Sequence, residues 1–135
     1  MVFLVDDDLD DIEIVQEALY RNNYKGEVGM AANGKVLMDQ LSAAKTEKHK
    51  KPDLILLDLN MPLKNGFEVL TELKSHPNLR SIPVIVLTAS SNKQDEIKCF
   101  ELGCNMFWNK PSSMDEYDTL VSLVINFLDK RSQLK

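Results

Sequence analysis

Residues Pro52–Leu70 read PDLILLDLNMPLKNGFEVL. After Pro52-Asp53, four apolar residues, Leu54–Leu57, run without alternation up to Asp58. A strand with one face in water alternates apolar and polar residues, whereas a strand covered on both faces reads as a continuous apolar run. Asn65-Gly66 then opens a stretch with Val69, Leu70 and Leu73 at helical spacing. The unit is a buried strand, an acid at its carboxyl end, a turn and an amphipathic helix.

The same unit recurs on both sides. Val2–Val5 is an apolar run cut off by Asp6, Asp7 and Asp8, and Ile12, Val15, Ala18 and Leu19 follow at helical spacing. Val28–Ala32 reads as a second strand, weakened by Gly29, and Val36, Leu37, Met38 and Leu41 suggest a second helix after Asn33-Gly34. Pro83 opens Val84–Leu87, which ends at Thr88. Ile97, Phe100 and Leu102 mark a fourth helix, and Gly103 suits its C-terminal cap. Met106–Trp108 is a fifth short strand, with Lys110 at its end. Ser113 and Glu116 have capping-box spacing ahead of a long last helix. Five strand–helix repeats predict an α/β fold: a five-stranded parallel sheet, doubly wound, (βα)5, with helices on both faces.

The remaining features bound the function. A chain of 135 residues with 44% hydrophobic and 27% charged residues is one domain, spanning 1–135, of ordinary globular composition. A net charge of −5 argues against nucleic-acid binding, and the basic run Lys45–Lys51 reads as a solvated segment. No segment approaches the ~20 apolar residues of a membrane span. Cys99 and Cys104 match neither a redox pair nor a zinc pair, so they read as reduced thiols in a cytoplasmic protein. His49 and His76 have no metal-site partner at useful spacing.

Ligands of open parallel sheets bind at the carboxyl ends of the strands. There the predicted strands place Asp6 and Asp7, Asp58, Thr88 and Lys110. Three carboxylates in one pocket raise each other's pKa unless cations intervene. Lys110 supplies one charge, and oxygen-only ligands point to Mg²⁺ for the rest. A carboxylate can attack phosphorus, and phosphoryl transfer then needs little beyond positioning and neutralisation of charge. The residues predict a metal-assisted acceptor of a phosphoryl group. Asp8 or Asp10 is expected to cap the first helix, and Asp10 and Asp11 to be solvated. Asp6–Glu17 mimics a calcium loop, but its sixth position is Asp11 where the turn needs glycine.

Together, VFLVDDD (Val2–Asp8), PDLILLDLNMPLKNGFEVL (Pro52–Leu70), IPVIVLTAS (Ile82–Ser90) and Lys110-Pro111 resemble the receiver domains of two-component response regulators. The resemblance covers essentially the whole chain. It implies a flavodoxin-like strand order of 2-1-3-4-5, with Asp58 as phosphoacceptor. Asp7 and Asp58 would ligate Mg²⁺ by side chain, Asn60 by its backbone carbonyl and Asp6 through a bound water. Thr88 would be the switch hydroxyl and Lys110 its companion. Pro111 would be structural, often after a cis peptide, and Phe107 would be the switch aromatic, or simply packed core. The phosphoryl donor would be a histidine kinase or a phosphotransfer protein. The segment Ser42–Lys51, which lengthens the connection before the third strand, the DLDD after the first strand and His76-Pro77-Asn78-Leu79 resemble the small receiver-only regulators associated with bacterial phytochromes. The chain starts directly at its first strand, which reads as a trimmed start.

No output domain is expected after the last helix. That helix carries Leu120, Val121, Leu123, Val124, Ile125, Phe127 and Leu128, covering roughly 200° of its circumference at ~100° per residue, where packing on a sheet needs little over ~100°. The excess predicts a homodimer through the last helix. Two rivals stand against a receiver. Haloacid-dehalogenase-type phosphatases carry a second Asp two residues after the nucleophile, where this chain has Asn60, and place their acidic pair elsewhere in the chain order. A flavodoxin-like nucleotide or flavin module lacks its Gly-rich phosphate loop here.

Overall fold

The computed structural model describes residues 1–46 and 51–133. Strands β1 (Val2–Val5), β2 (Val28–Ala31), β3 (Leu54–Leu57), β4 (Val84–Thr88) and β5 (Met106–Asn109) alternate with helices α1 (Leu9–Arg21), α2 (Gly34–Thr46), α3 (Gly66–Ser75), α4 (Lys93–Glu101) and α5 (Met114–Gln133). All strands are parallel, in the order β2-β1-β3-β4-β5. This is the doubly wound, flavodoxin-like α/β fold that the alternation predicts.

The strands with continuous apolar runs sit in the middle. Every residue of β1, β3 and β4 is buried. Successive side chains point to opposite faces. Val5, Ile55, Leu57, Val84 and Val86 therefore pack with α2, α3 and α4 through Leu37, Leu41, Val69, Leu70, Leu73 and Cys99. Val2, Leu4, Leu54, Leu56, Ile85 and Leu87 pack with α1 and α5 through Ile12, Val15, Ala18, Leu19, Leu120, Val121 and Val124. Each large aliphatic side chain removed from water contributes about 1.5–3 kcal/mol.

Local chemistry sets the helix ends. Asp8 is the N-cap of α1, accepting a hydrogen bond from Asp10 N at 3.0 Å, so the helix begins three residues before the first periodic apolar position, Ile12. Asn65 caps α3 in a full capping box: its side chain accepts from Glu68 N at 3.0 Å, and Glu68 accepts from Asn65 N at 3.2 Å. Asn65→Ala is expected to cost about 1 kcal/mol in urea unfolding. At α5 the box is displaced by one residue. Ser113 Oγ accepts from Glu116 N at 3.2 Å, but the Glu116 carboxylate accepts from Ser112 N at 3.0 Å. Helix α4 ends in a Schellman motif, with Cys104 N on Cys99 O (3.0 Å), Gly103 N on Phe100 O (3.1 Å) and Gly103 at φ +102°. Both cysteines are free and buried, and burial pushes the Cys99 thiol up to about 12, so these thiols are inert packing groups.

Three expectations need correction. Ser42–Lys51 is helical as far as Thr46, because α2 continues past its last buried leucine; residues 47–50, with most of the basic run and His49, lie outside the described residues. The Lys110–Pro111 peptide is trans, the form that even X–Pro bonds favour. Ile97 and Phe100 do mark a helix, but they lie on its outer side at 44% and 50% exposure, and Cys99 is the residue of α4 that enters the core. On α5, Leu120, Val121 and Val124 are buried, while Ile125, Phe127 and Leu128 are only partly covered against the α1 side of the core.

Candidate functional site: an acidic pocket at the strand ends

The sheet brings its polar interruptions together. β1 lies between β2 and β3, so the residues after β1 and β3 emerge side by side at the point where chain order reverses. The ladder continues past the strands: Asp6 N donates to Ala31 O (3.1 Å) and Asp58 N to Val5 O (3.0 Å). From β4, Thr88 O accepts from Lys110 N at 2.8 Å, fixing the root of the lysine at the same edge. Ligand oxygens of Asp6, Asp7 and Asp58 lie within 4.8 Å of one another. Asp6, Asp58 and Thr88 are buried, and Asp7 is exposed.

Each buried group has defined partners. Asp58 Oδ1 accepts from Leu59 N at 2.9 Å, and the nearby Asn60 N–H and Thr88 hydroxyl favour the charged form of its carboxylate. Asp6 Oδ1 accepts from Asp8 N at 2.9 Å. The Lys110 ammonium lies 2.7 Å from Asp11 Oδ2, 2.9 Å from Asp6 Oδ2 and 3.7 Å from Asp58 Oδ2. Burial raises Asp58 above the usual carboxylate range, and neither Lys110 nor the hydrogen bonds fully offset it. Burial likewise raises Asp6 to about 6, against the pull of Asp8 N–H and Lys110. Burial alone would depress Lys110, but hydrogen bonds to Asp11 and Asp6 and the charge of Asp58 push it up instead. The pocket therefore holds more negative charge than its one lysine neutralises.

That surplus fits a divalent metal. Three oxygen ligands from side chains and a nearby backbone suit a hard cation. Asp6, Asp7 and Asp58 form an acidic cluster typical of a divalent metal site.

The loop after β3 leads from Asp58 straight into α3. Gly66 N donates to Leu59 O at 2.9 Å, drawing the start of α3 against the end of β3. Leu63 in this loop has φ +67° and is 77% exposed, and Lys64 N donates back to Pro62 O at 2.7 Å. An apolar L-residue in the left-handed region is strained, and here it is exposed as well.

Of the residues expected here, Asp6, Asp7, Asp58, Thr88 and Lys110 come together, with the backbone of Asn60. Phe107 is half-buried against the α3–α4 side of the core, as a packing residue would be. Asp10 is exposed, as expected of a solvated acid. Asp11 is not: it turns onto Lys110 as the nearest of the three carboxylates. The signal was present, since Asp11, Val15 and Ala18 fall on one stripe of α1 at i, i+4 and i+7, which continues the buried face by a turn.

A doubly wound parallel sheet with an acidic pocket, a hydroxyl and a lysine at its switch point defines a class: phosphoryl-accepting signalling modules. The chain belongs to the response regulator receiver domain family, whose pattern matches residues 2–122. It is 37% identical to response regulator Rcp1 of Synechocystis over 128 residues, covering 94% of this chain and 87% of Rcp1. The phosphorylated cyanobacterial phytochrome response regulator RcpA superposes with a TM-score of 0.85 at 38% identity, covering 94% of this chain and 91% of that one. The Mn²⁺-bound form of Rcp1 gives 0.78 at 36% identity, with coverage of 93% and 91%. The chain is thus a receiver domain closely resembling phytochrome-associated response regulators, and its Asp6–Asp7–Asp58 pocket serves phosphoryl acceptance. A receiver domain implies a histidine kinase partner, and the family is not one of catalytic enzymes. Among the described residues no helix is long and apolar enough to cross a membrane.

Proposed function

We propose that Asp58 is the phosphoacceptor and Mg²⁺ the metal of the pocket. The supporting observation is the surroundings of Asp58: a buried carboxylate facing Thr88 and Lys110, with Asp6 and Asp7 alongside. Asp7, Asp58 and the Asn60 carbonyl would hold the metal, and Asp6 would act through a water. Bound there, Mg²⁺ supplies positive charge for the phosphoryl oxygens. One carboxylate oxygen of Asp58 attacks the phosphorus of a phosphohistidine, on a histidine kinase or a phosphotransfer protein. The P–N bond breaks, and its electron pair stays with the imidazole. Lys110 and Thr88 then bind the new phosphoryl oxygens.

These contacts exist only in the phosphorylated state, so they shift a two-state equilibrium. Thr88 moves toward the phosphoryl group, Phe107 turns inward, Pro111 holds the chain after Lys110, and the face of α4, β5 and α5 changes. The exposed Ile97 and Phe100 and the partly covered Phe127, which lies beside Met106 of β5, make that face apolar enough for a partner, and we assign it to a homodimer through α5. We take 1–135 as one receiver domain acting in the cytoplasm.

The test is intact-protein mass after incubation with acetyl phosphate and Mg²⁺. Wild type is expected to gain one phosphoryl group, and neither Asp58→Asn nor EDTA-treated wild type any. A gain in Asp58→Asn would move the acceptor elsewhere. Sedimentation before and after phosphorylation tests the dimer.

A further inference from the structure

The lysine of the pocket is held by a carboxylate that has no part in the metal cluster. Asp6, Asp7 and Asp58 share the metal geometry. Asp11 stands outside it, in the first turn of α1, yet its Oδ2 is 2.7 Å from Lys110 Nζ, a full ångström nearer than Asp58 at 3.7 Å. A first-turn acid usually faces water, where it complements the helix dipole. Asp11 instead turns inward, only 26% exposed, and lines the same small void as Asp6 and Asp58.

An ammonium has three N–H donors. One is donated to Asp11, Asp6 pairs with the ammonium at 2.9 Å, and the distance to Asp58 is beyond hydrogen-bond length. A phosphoryl group on Asp58 would offer Lys110 new anionic oxygens, so the two anions compete for one cation. We propose that Asp11 is a positioning residue that holds Lys110 on the α1 side of the pocket and opposes its transfer to the phosphoryl group. Asp11 thereby sets how strongly phosphorylation drives the switch. The inference rests on the assignment of Asp58 and Lys110 made above.

The sign separates this role from a structural one. Loss of a merely supporting contact loosens a site, whereas loss of a competitor tightens it. The probe is beryllofluoride, which occupies the place of a phosphoryl group on a carboxylate, titrated at saturating Mg²⁺. Trp108, the one tryptophan, lies two residues before Lys110 and reports by fluorescence. Asp11→Asn is expected to bind beryllofluoride about tenfold more tightly than wild type, an ordinary size for coupling between two groups. Asp10→Asn removes an equal charge from the same helical turn without touching Lys110, and should leave the affinity within about twofold. Asp11→Glu restores the charge and should return affinity toward wild type. Unchanged or weaker binding in Asp11→Asn overturns the inference, as does equal tightening in Asp10→Asn, which would reduce it to net charge. If wild type itself gives no Mg²⁺-dependent response, the acceptor assignment falls and this inference with it. If wild type responds and Asp11→Asn does not tighten, only the role of Asp11 falls.

Discussion

Lys110→Met is expected to cost about 3 kcal/mol of stability at pH 8 in EDTA, the typical cost of breaking a buried ion pair on one side. The lysine is only 17% exposed and faces Asp6, Asp11 and Asp58, the first and last of which are themselves 10% and 6% exposed. Methionine keeps most of the stem's volume and leaves the carboxylates without their cation. The backbone bond from residue 110 to Thr88 O survives, so the strand edge stays in place. The penalty has a predictable pH dependence. Burial already raises Asp58, and raises Asp6 to about 6. Without Lys110 both rise further. An acid with a raised folded-state pKa binds its proton more strongly folded than unfolded, so the folded state gains as pH falls. The deficit of the variant is therefore full above the raised pKa values and shrinks as pH falls through 6 toward 4. Lys110 stays charged across that range, so the slope belongs to the carboxyls. Urea unfolding of both proteins at pH 5 and pH 8 decides it: an equal deficit at both pH values would mean that lost packing, not uncompensated charge, is responsible. In the same variant, phosphoryl uptake from acetyl phosphate should fall by about a hundredfold, the usual effect of removing one preorganised charge-stabilising donor.

The central sheet was legible because burial on both faces leaves a plain mark. Leu54–Leu57 and Val84–Leu87 cannot alternate, since helices cover both sides of them. The acids, hydroxyl and lysine that break these runs were legible for the same reason: a polar residue at the end of a buried strand stands out. Residue-level packing was less accessible. The fourth helix was recognised from Ile97 and Phe100, yet these face outward and Cys99 faces inward, because its register depends on the Cys99–Cys104 turn closing over β5. For Asp11, the stripe shared with Val15 and Ala18 marks its inward side but not its partner, since Lys110 reaches it from ninety-nine positions away, just after β5. The end of α2 was misjudged for a related reason. Helix propensity carries it past Leu41, its last buried leucine, to Thr46.

Gly66→Ala is expected to cost more than about 3 kcal/mol, at the severe end of single substitutions. A Cβ at Gly66 would sit 2.5 Å from the Asp58 carbonyl oxygen and 2.8 Å from Leu59 Cα. Both atoms are backbone, in a buried strand end that no side-chain rotation can clear. The clash also opposes the Gly66 N to Leu59 O bond, which draws α3 against β3. Either α3 moves outward, exposing Val69, Leu70 and Leu73, or the end of β3 moves and carries Asp58 with it. Both routes damage the pocket, because Leu59 N donates to the Asp58 carboxylate at 2.9 Å and an ångström of displacement abolishes that bond. The glycine is thus tied to the chemistry as well as to the fold. Urea unfolding gives the stability loss, and Mg²⁺ titration followed by Trp108 fluorescence gives the damage to the site in whatever fraction remains folded. Metal affinity should drop at least about tenfold, since displaced ligands and second neighbours typically cost 10–100-fold. Near-wild-type stability with weakened metal binding would mean that β3 absorbs the strain alone. Near-wild-type values for both would show that the close approach of α3 to Asp58 is not required.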